Sequence, residues 1–265
     1  MIDYHIHTPL CNHAVGEMGE YIEVALAKGL SEICFLDHLI ISGRGQKNSM
    51  SIDAIPDYYE NIQKLKKAYS GKITIRAGLE VDFDPENVTR MVKLLRQFPF
   101  DVIGSSVHFV DGVNVASRRE ASVISDVEEK ELIRRYFEKM SRMLEFDYYD
   151  IICHFDVVKK TGRVITEEFI PVIDKIIHKI AKKKLVVELN TSGWDHPANE
   201  CYPSEGIIKK CVDAGVPFVL SSDAHKPEDT GNYCNRALNV LAAAGCNRVC
   251  SFESRERRFI EIDTN

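Results

Sequence analysis

Strand-length apolar runs alternate with longer amphipathic stretches along this 265-residue chain, and that alternation restricts the fold more than any single motif. The runs fall at 2–6, 33–37, 73–83, 102–107, 151–154, 185–190 and 218–222, with an eighth, less apolar, at 248–252. Helical spacing is read between them at 19–28, 55–69, 87–96, 128–146, 167–184, 204–214 and 232–244. Within 167–184, Phe169, Val172, Ile173, Ile176, Ile177 and Ile180 mark one face. Strands too apolar to have a solvated face, each followed by a helix, predict an α/β fold with a parallel sheet covered by helices. Seven or eight such units predict a closed barrel over an open sheet, in one domain spanning 1–265. No Gly-x-Gly-x-x-Gly follows the first run, which argues against a dinucleotide site. The polar segment 109–126 is the least regular and has the length of a functional or disordered loop.

Composition narrows the function classes. A formal net charge of −6 leaves no electrostatic footprint for a nucleic-acid backbone, so no nucleic-acid partner is expected. No apolar run approaches the ~20 residues of a membrane span, and the start lacks the pattern of a signal peptide, so no membrane partner is expected. The eight cysteines are scattered without a C-x-x-C pair, which predicts reduced thiols and a cytoplasmic protein. Composition gives no reading of oligomeric state.

The nine histidines are not scattered in the same way. His5 and His7 alternate on the first strand, so both side chains point to one face, and His13 follows in the next loop. His38 closes FLDH, Glu80 lies near the end of AGLEVDF, His108 closes GSSVHF, His154 closes the fifth run, and Asp223 and His225 close LSSDAH. Seven histidines, one glutamate and one aspartate therefore gather at the C-terminal ends of the strands, where barrel enzymes build their sites. Taken singly, each has an ordinary structural reading: Glu80 could pair with Arg76, and Asp223 could cap a helix. Taken together they cannot satisfy one another, and imidazole with carboxylate is a ligand set for zinc, manganese or iron. Nine donors exceed one tetrahedral ion and suit two or three. His178 falls mid-helix and is read as structural or exposed; His196 falls in a loop and could face substrate.

The order HIH, loop histidine, DH, GLE, VH, CH, SDAH resembles the polymerase and histidinol phosphatase (PHP) family of metal-dependent phosphoesterases over the whole chain. HTPLCNHA, GLEVDF, IGSSVHF, NTSG with YPS, and SSDAH are similar to its histidinol-phosphate phosphatase branch. The resemblance implies a distorted (β/α)7 TIM-like barrel holding three divalent ions. It implies one ion on His5, His7, Glu80 and Asp223, and a second sharing Glu80 and adding His108 and His154. The third falls on His13, His38 and His225. It also implies attack of a metal-bridging hydroxide on a small phosphorylated substrate, with L-histidinol phosphate the leading candidate and another phosphomonoester, a nucleotide or a cyclic phosphodiester the alternative. Asp223 and His225 are then candidates for protonating the leaving oxygen, and Glu80 for holding the catalytic ions.

For the phosphate, the cationic candidates are Lys160 first, then Lys159, Arg44, Arg118 and Arg119, with His196 beside them. The resemblance leads to a basic residue soon after NTSG; this chain carries Asp195 and His196 there, and Asp195 could pair with a substrate ammonium. An amidohydrolase-type barrel also begins with His-x-His, but it wants a strand-end lysine that this chain lacks and would leave His13, His38 and His225 unused. A non-catalytic module would have no reason to keep all nine donors.

Overall fold

The computed structural model describes residues 1–121, 123 and 125–262; residues 122 and 124 of the 109–126 segment lie outside the described residues. Seven parallel strands follow one another round the sheet: β1 (Ile2–Ile6), β2 (Glu32–Leu39), β3 (Thr74–Asp82), β4 (Val102–Ser106), β5 (Ile151–Ile152), β6 (Val186–Asn190) and β7 (Phe218–Ser221). The ends of the series meet. His7 N donates to Ala224 O (2.9 Å) and Ala224 N to His5 O (3.1 Å), so β1 pairs with the chain leaving β7.

This closure is partial, because β7 divides its free edge. Its first residue, Phe218, pairs with Val249 of β8 (Arg248–Glu253), and the chain beyond its other end pairs with β1. The eighth run therefore adds a strand outside the ring. It turns back through Ser254 and Arg255, both at positive φ (52° and 69°), into an antiparallel β9 (Glu256–Glu261). Nothing in the sequence pattern marked β9: it is polar and exposed, and its turn uses Ser-Arg where Asn-Gly is the usual signal.

The helices pack outside: α1 (Met18–Ala27), α2 (Ile55–Ala68), α3 (Val88–Leu95), α4 (Asp126–Met143), α5 (Ile170–Lys183), α6 (Glu205–Asp213) and α7 (Cys234–Ala244). Local chemistry sets their limits. A capping box joins Ser125 and Glu128 at the start of α4, Pro56 and Pro171 enter α2 and α5 in the first turn, and Lys184 at φ 57° ends α5. On α5, Ile173, Ile176, Ile177 and Ile180 are buried and His178 is exposed. Among the described residues no helix is long and apolar enough to cross a membrane.

The barrel interior is tight below the site. A Cβ on Gly78 would lie 2.6 Å from Leu36 Cδ1, and one on Gly104 2.5 Å from Cys153 Sγ, so two neighbouring strands need glycine for those side chains to fill the centre. Above this plug His5, Glu80, His154 and Glu188 meet across the strands. The segment after β4 is more ordered than a polar loop: Phe109–Val110 pairs with Val113–Asn114, and Arg118–Ala121 forms a helical turn.

Candidate metal centre

All nine donors singled out in the sequence meet at the C-terminal ends of the strands. Glu80 is their hub. It is fully buried, with Oε1 2.7 Å from His154 Nε2 and 3.7 Å from His108 Nε2, and Oε2 2.5 Å from His38 Nδ1 and 3.4 Å from His5 Nε2. The close approach of His38 lacks hydrogen-bond alignment, so Glu80 Oε2 has no hydrogen-bond partner, and neither has His5 Nε2. Arg76 is not Glu80's partner; it pairs with Glu32 at the opposite end of the barrel.

A second group lies nearer the mouth. His7 Nε2 is 3.0 Å from Asp223 Oδ1, and one nitrogen each of His7, His38 and His225 lie within 4.8 Å of one another. His13 and His225 face each other through Nε2 at 3.0 Å. Each donates its Nδ1 proton to a backbone carbonyl, His13 to Cys11 and His225 to Asp223. Two imidazole lone pairs are thus left pointing at one another, close to the about 3.3 Å separation of two nitrogens on a tetrahedral ion with bonds near 2.0–2.1 Å.

Outer carboxylates set this orientation, and the sequence reading had not picked them out. Asp37 accepts from His7 Nδ1 (3.2 Å), Asp82 from His108 Nδ1 (3.1 Å) and Glu188 from His5 Nδ1 (2.5 Å). In each pair the other ring nitrogen turns toward Glu80 or Asp223, the arrangement that fixes the tautomer of a metal-binding imidazole. A signal was present in the sequence. Asp37 adjoins His38 in DH, Asp82 lies two residues after Glu80 in EVD, and Glu188 is the one charge in the buried run VVELN. A carboxylate buried in an apolar strand needs partners.

The carboxylates and the imidazoles of His7 and His225 have the charge states of a ligand set. Burial alone would raise the carboxyls of Glu80 and Asp223, but the imidazoles around them (His38, His108, His5 and His154 for Glu80; His5, His7 and His225 for Asp223) hold both well below the usual range. Burial and the neighbouring imidazole of His38 hold His7 down at about 3, and burial with His7 pushes His225 well down. Two thiols also approach the cluster. Burial pushes Cys11 up to about 12 and Cys153 well above its ordinary value. Against burial, Glu188 and Glu80 push His5, and Glu80 pushes His154, above the ordinary imidazole value, so these two carry positive charge where a cation would sit. Anionic carboxylates, imidazoles and orphaned buried atoms fit divalent ions of the zinc, manganese or iron type.

The cluster floors a cavity of about 530 Å³, the size of a small-ligand site. Of the cationic candidates, Lys160 and His196 line it. Burial, with Lys160 and Arg118 nearby, holds His196 down at about 4, and its Nδ1 has no partner. Asp195, accepting from Tyr233 (2.6 Å), lines the cavity on the loop after β6.

Four of the cationic candidates lie off the described lining of the cavity. Lys159 is buried between Asp156 and Glu200 (2.9 Å each) beside a separate cavity, because its neighbours supply a closer counter-charge than the mouth does. Arg44 is exposed, reaching Glu120 (3.5 Å) and Gly112 O, outside the lining. Arg118 and Arg119 sit exposed on the helical turn after β4, beyond the lining residues Ala116 and Ser117, with the Arg118 charge close enough to act on His196.

Residues 3–192 match the PHP domain. The chain belongs to that family. Among PHP relatives it is 30% identical over 260 residues to the "Probable histidinol-phosphatase" of Deinococcus radiodurans, covering 97% of this chain and 98% of the relative. It is 25% identical over 270 residues to the histidinol-phosphatase of Lactococcus lactis, covering 100% and 97%. The fold matches the crystal structure of histidinol phosphate phosphatase from Lactococcus lactis, complexed with zinc, L-histidinol and phosphate. The TM-score is 0.84 at 22% identity, over 97% of this chain and 98% of that one. The α/β fold with a mainly parallel sheet, expected from strand alternation, and its PHP type, implied by the resemblance, are thus the fold of this chain.

Proposed function

We propose that this chain is a metal-dependent phosphomonoesterase that hydrolyses L-histidinol phosphate to L-histidinol and phosphate, a step of histidine biosynthesis. The observation that carries the reading is the convergence of Glu80, Asp223 and seven imidazoles at and just beneath the floor of one cavity, with buried ligand atoms left unpaired. Full-length likeness to histidinol-phosphatases, one of them complexed with zinc, supports both the metal and the substrate.

We assign the ligands as three groups. His5, His7, Glu80 and Asp223 hold one ion; Glu80, His108 and His154 a second; His13, His38 and His225 a third. Divalent ions there neutralise the phosphoryl oxygens and make a bound water acidic enough to attack phosphorus near neutral pH. The chain's residues do the rest. Lys160 reaches the phosphate from the cavity wall, and neutral His196 offers it a hydrogen bond beside that charge. Asp223, kept ionised, takes the proton that the attacking water gives up and returns it to the leaving alkoxide, with His225 Nδ1 3.6 Å from its carboxylate. Asp195 faces the cationic end of the substrate.

One observation favours a second reading at the level of substrate. The loop after β6 presents Asp195 and His196 where a basic residue was expected, which would suit a different small phosphomonoester on the same metal floor. Phosphate release from L-histidinol phosphate, measured with metal counted in the same preparation, separates the two. A kcat/KM of about 10⁴ M⁻¹s⁻¹ or more, far above that for other monoesters, is expected. Metal with negligible turnover of this ester would leave a phosphoesterase of other specificity.

A further inference from the structure

We infer that Glu188 is a positioning residue that fixes the tautomer of His5 and supports the backbone turn at His154, so that one carboxylate places two metal ligands. The inference rests on the reading of His5 and His154 as ligands. Glu188 sits in the middle of β6 and is buried. Its Oε1 accepts from His5 Nδ1 (2.5 Å) and Ser221 Oγ (2.6 Å), and its Oε2 from His154 N (2.5 Å) and Asn190 Nδ2 (3.2 Å). The Asn190 amide has its direction set, because its Oδ1 accepts from Ser192 N (3.0 Å). The two partners of Oε2 are therefore fixed donors, and an ionised Glu188 accepts from both of them and, through Oε1, from His5 Nδ1 and Ser221 Oγ.

Two consequences follow for the metal floor. A carboxylate that cannot donate keeps the His5 proton on Nδ1, which leaves Nε2, unpaired and 3.4 Å from Glu80, as the ligand atom. His154 is a non-glycine residue at φ 25°, the turn that swings its imidazole toward Glu80, and the N–H exposed by that turn is taken by Glu188 Oε2.

Glutamine at 188 would keep the volume and lose half of the acceptors. If its amide nitrogen faced His5 and Ser221, the hydroxyl could reverse, but His5 would have to move its proton to Nε2 and lose its ligand lone pair. If the nitrogen faced His154 and Asn190, donors would oppose donors and the turn would lose its support. Either orientation damages one ligand.

The test is titration of the purified full chain with Zn²⁺ against a competing chelator, for the wild type, Glu188→Gln and Ser221→Ala. Glu188→Gln is expected to bind zinc about 10–100-fold more weakly with its circular dichroism unchanged. Ser221→Ala, which removes one donor and leaves the carboxylate free to accept from His5 and His154, is expected to stay within about threefold. A ¹⁵N-histidine spectrum of the zinc-loaded wild type should show His5 protonated on Nδ1 and bound through Nε2. A folded Glu188→Gln protein with wild-type zinc affinity, or His5 bound through Nδ1 in the wild type, overturns the inference. Should the variant not fold, the wild-type spectrum decides. A wild type that binds no divalent ion would instead overturn the metal reading on which the inference stands.

Discussion

At the N-terminal ends of the strands, Arg76 donates from Nε to Glu32 (2.9 Å) and approaches Glu253 (3.2 Å) and Asp101 (3.9 Å). Lys66 pairs with Asp101 (2.6 Å), Tyr4 donates to Glu32, and the Asp101 carboxylate accepts from the backbone of Ala77 and of Ser254 in the β8–β9 turn. At the C-terminal ends, carboxylates and imidazoles are as deeply buried, yet His5 Nε2, Glu80 Oε2 and His154 Nδ1 have no hydrogen-bond partner. Among the described residues no side-chain atom of Tyr4, Glu32, Arg76 or Asp101 is orphaned in that way. Both ends bury charge; only one balances it internally. The lower network spends its charges on anchoring the outer hairpin beneath the barrel, and the upper one keeps lone pairs for an ion that the chain does not itself supply.

Substitutions can break this contrast. The largest effect is expected from Glu80→Ala at the upper end. It removes the hub of the cluster, so bound metal should fall and kcat/KM drop by about 10³-fold or more, roughly 4 kcal/mol in the barrier. His108→Ala should act in the same direction with a smaller loss. Metal analysis and phosphate release on the folded variants measure both; full activity with full metal in either would sink the ligand assignment.

Arg76→Ala is the matching lesion below. It leaves Glu32 and Asp101 buried short of their counter-charge, and should cost about 3 kcal/mol of stability by urea unfolding. Metal content and turnover per folded molecule should be unchanged. Loss of metal in this variant would mean that the two ends are coupled, and that the contrast drawn here is false.

Lys160→Ala tests the wall between metal and solvent. Removing the one lysine among the described lining residues should lower kcat/KM for a phosphate monoester about 10–30-fold while leaving metal content alone. If Lys159→Ala were the more damaging change, and the loss were catalytic rather than one of stability, the placement of Lys159 away from the mouth would be wrong.

The contrast also explains what the sequence could and could not disclose. Strand-end donors repeat at one place in six of the seven βα units, so His5, His7, His38, Glu80, His108, His154, Asp223 and His225 were legible from spacing alone once the alternation was read. Their supports were not. Asp37, Asp82 and Glu188 act through contacts across the barrel, with partners 26 to 183 residues away, and no local period marks them. Cationic residues misled for the opposite reason: Lys159 and Lys160 are adjacent in the chain, but the helical turn Val157–Lys159 and its exit point them to different cavities. The hairpin of β8 and β9 was half missed because its stability comes from Asp101, Arg76 and Tyr4 rather than from its own composition.

The smallest expected effect is at the rim. Asp195 has one oxygen engaged by Tyr233 (2.6 Å), and it lines the same cavity as Lys160, so the mouth carries charges of both signs. A phosphate ester with an ammonium group would use both, whereas an ester without one would use only the lysine. Asp195→Asn keeps the hydrogen bond from Tyr233 and removes the charge. It should therefore raise KM for L-histidinol phosphate about fivefold, roughly 1 kcal/mol, with kcat nearly constant. The deaminated analogue, the same imidazole-bearing phosphate without its ammonium, should bind the two proteins alike. An equal loss with both esters would assign Asp195 to the shape of the loop. No loss with either would place the ammonium elsewhere in the mouth, with Asp229 the next carboxylate on the lining to test.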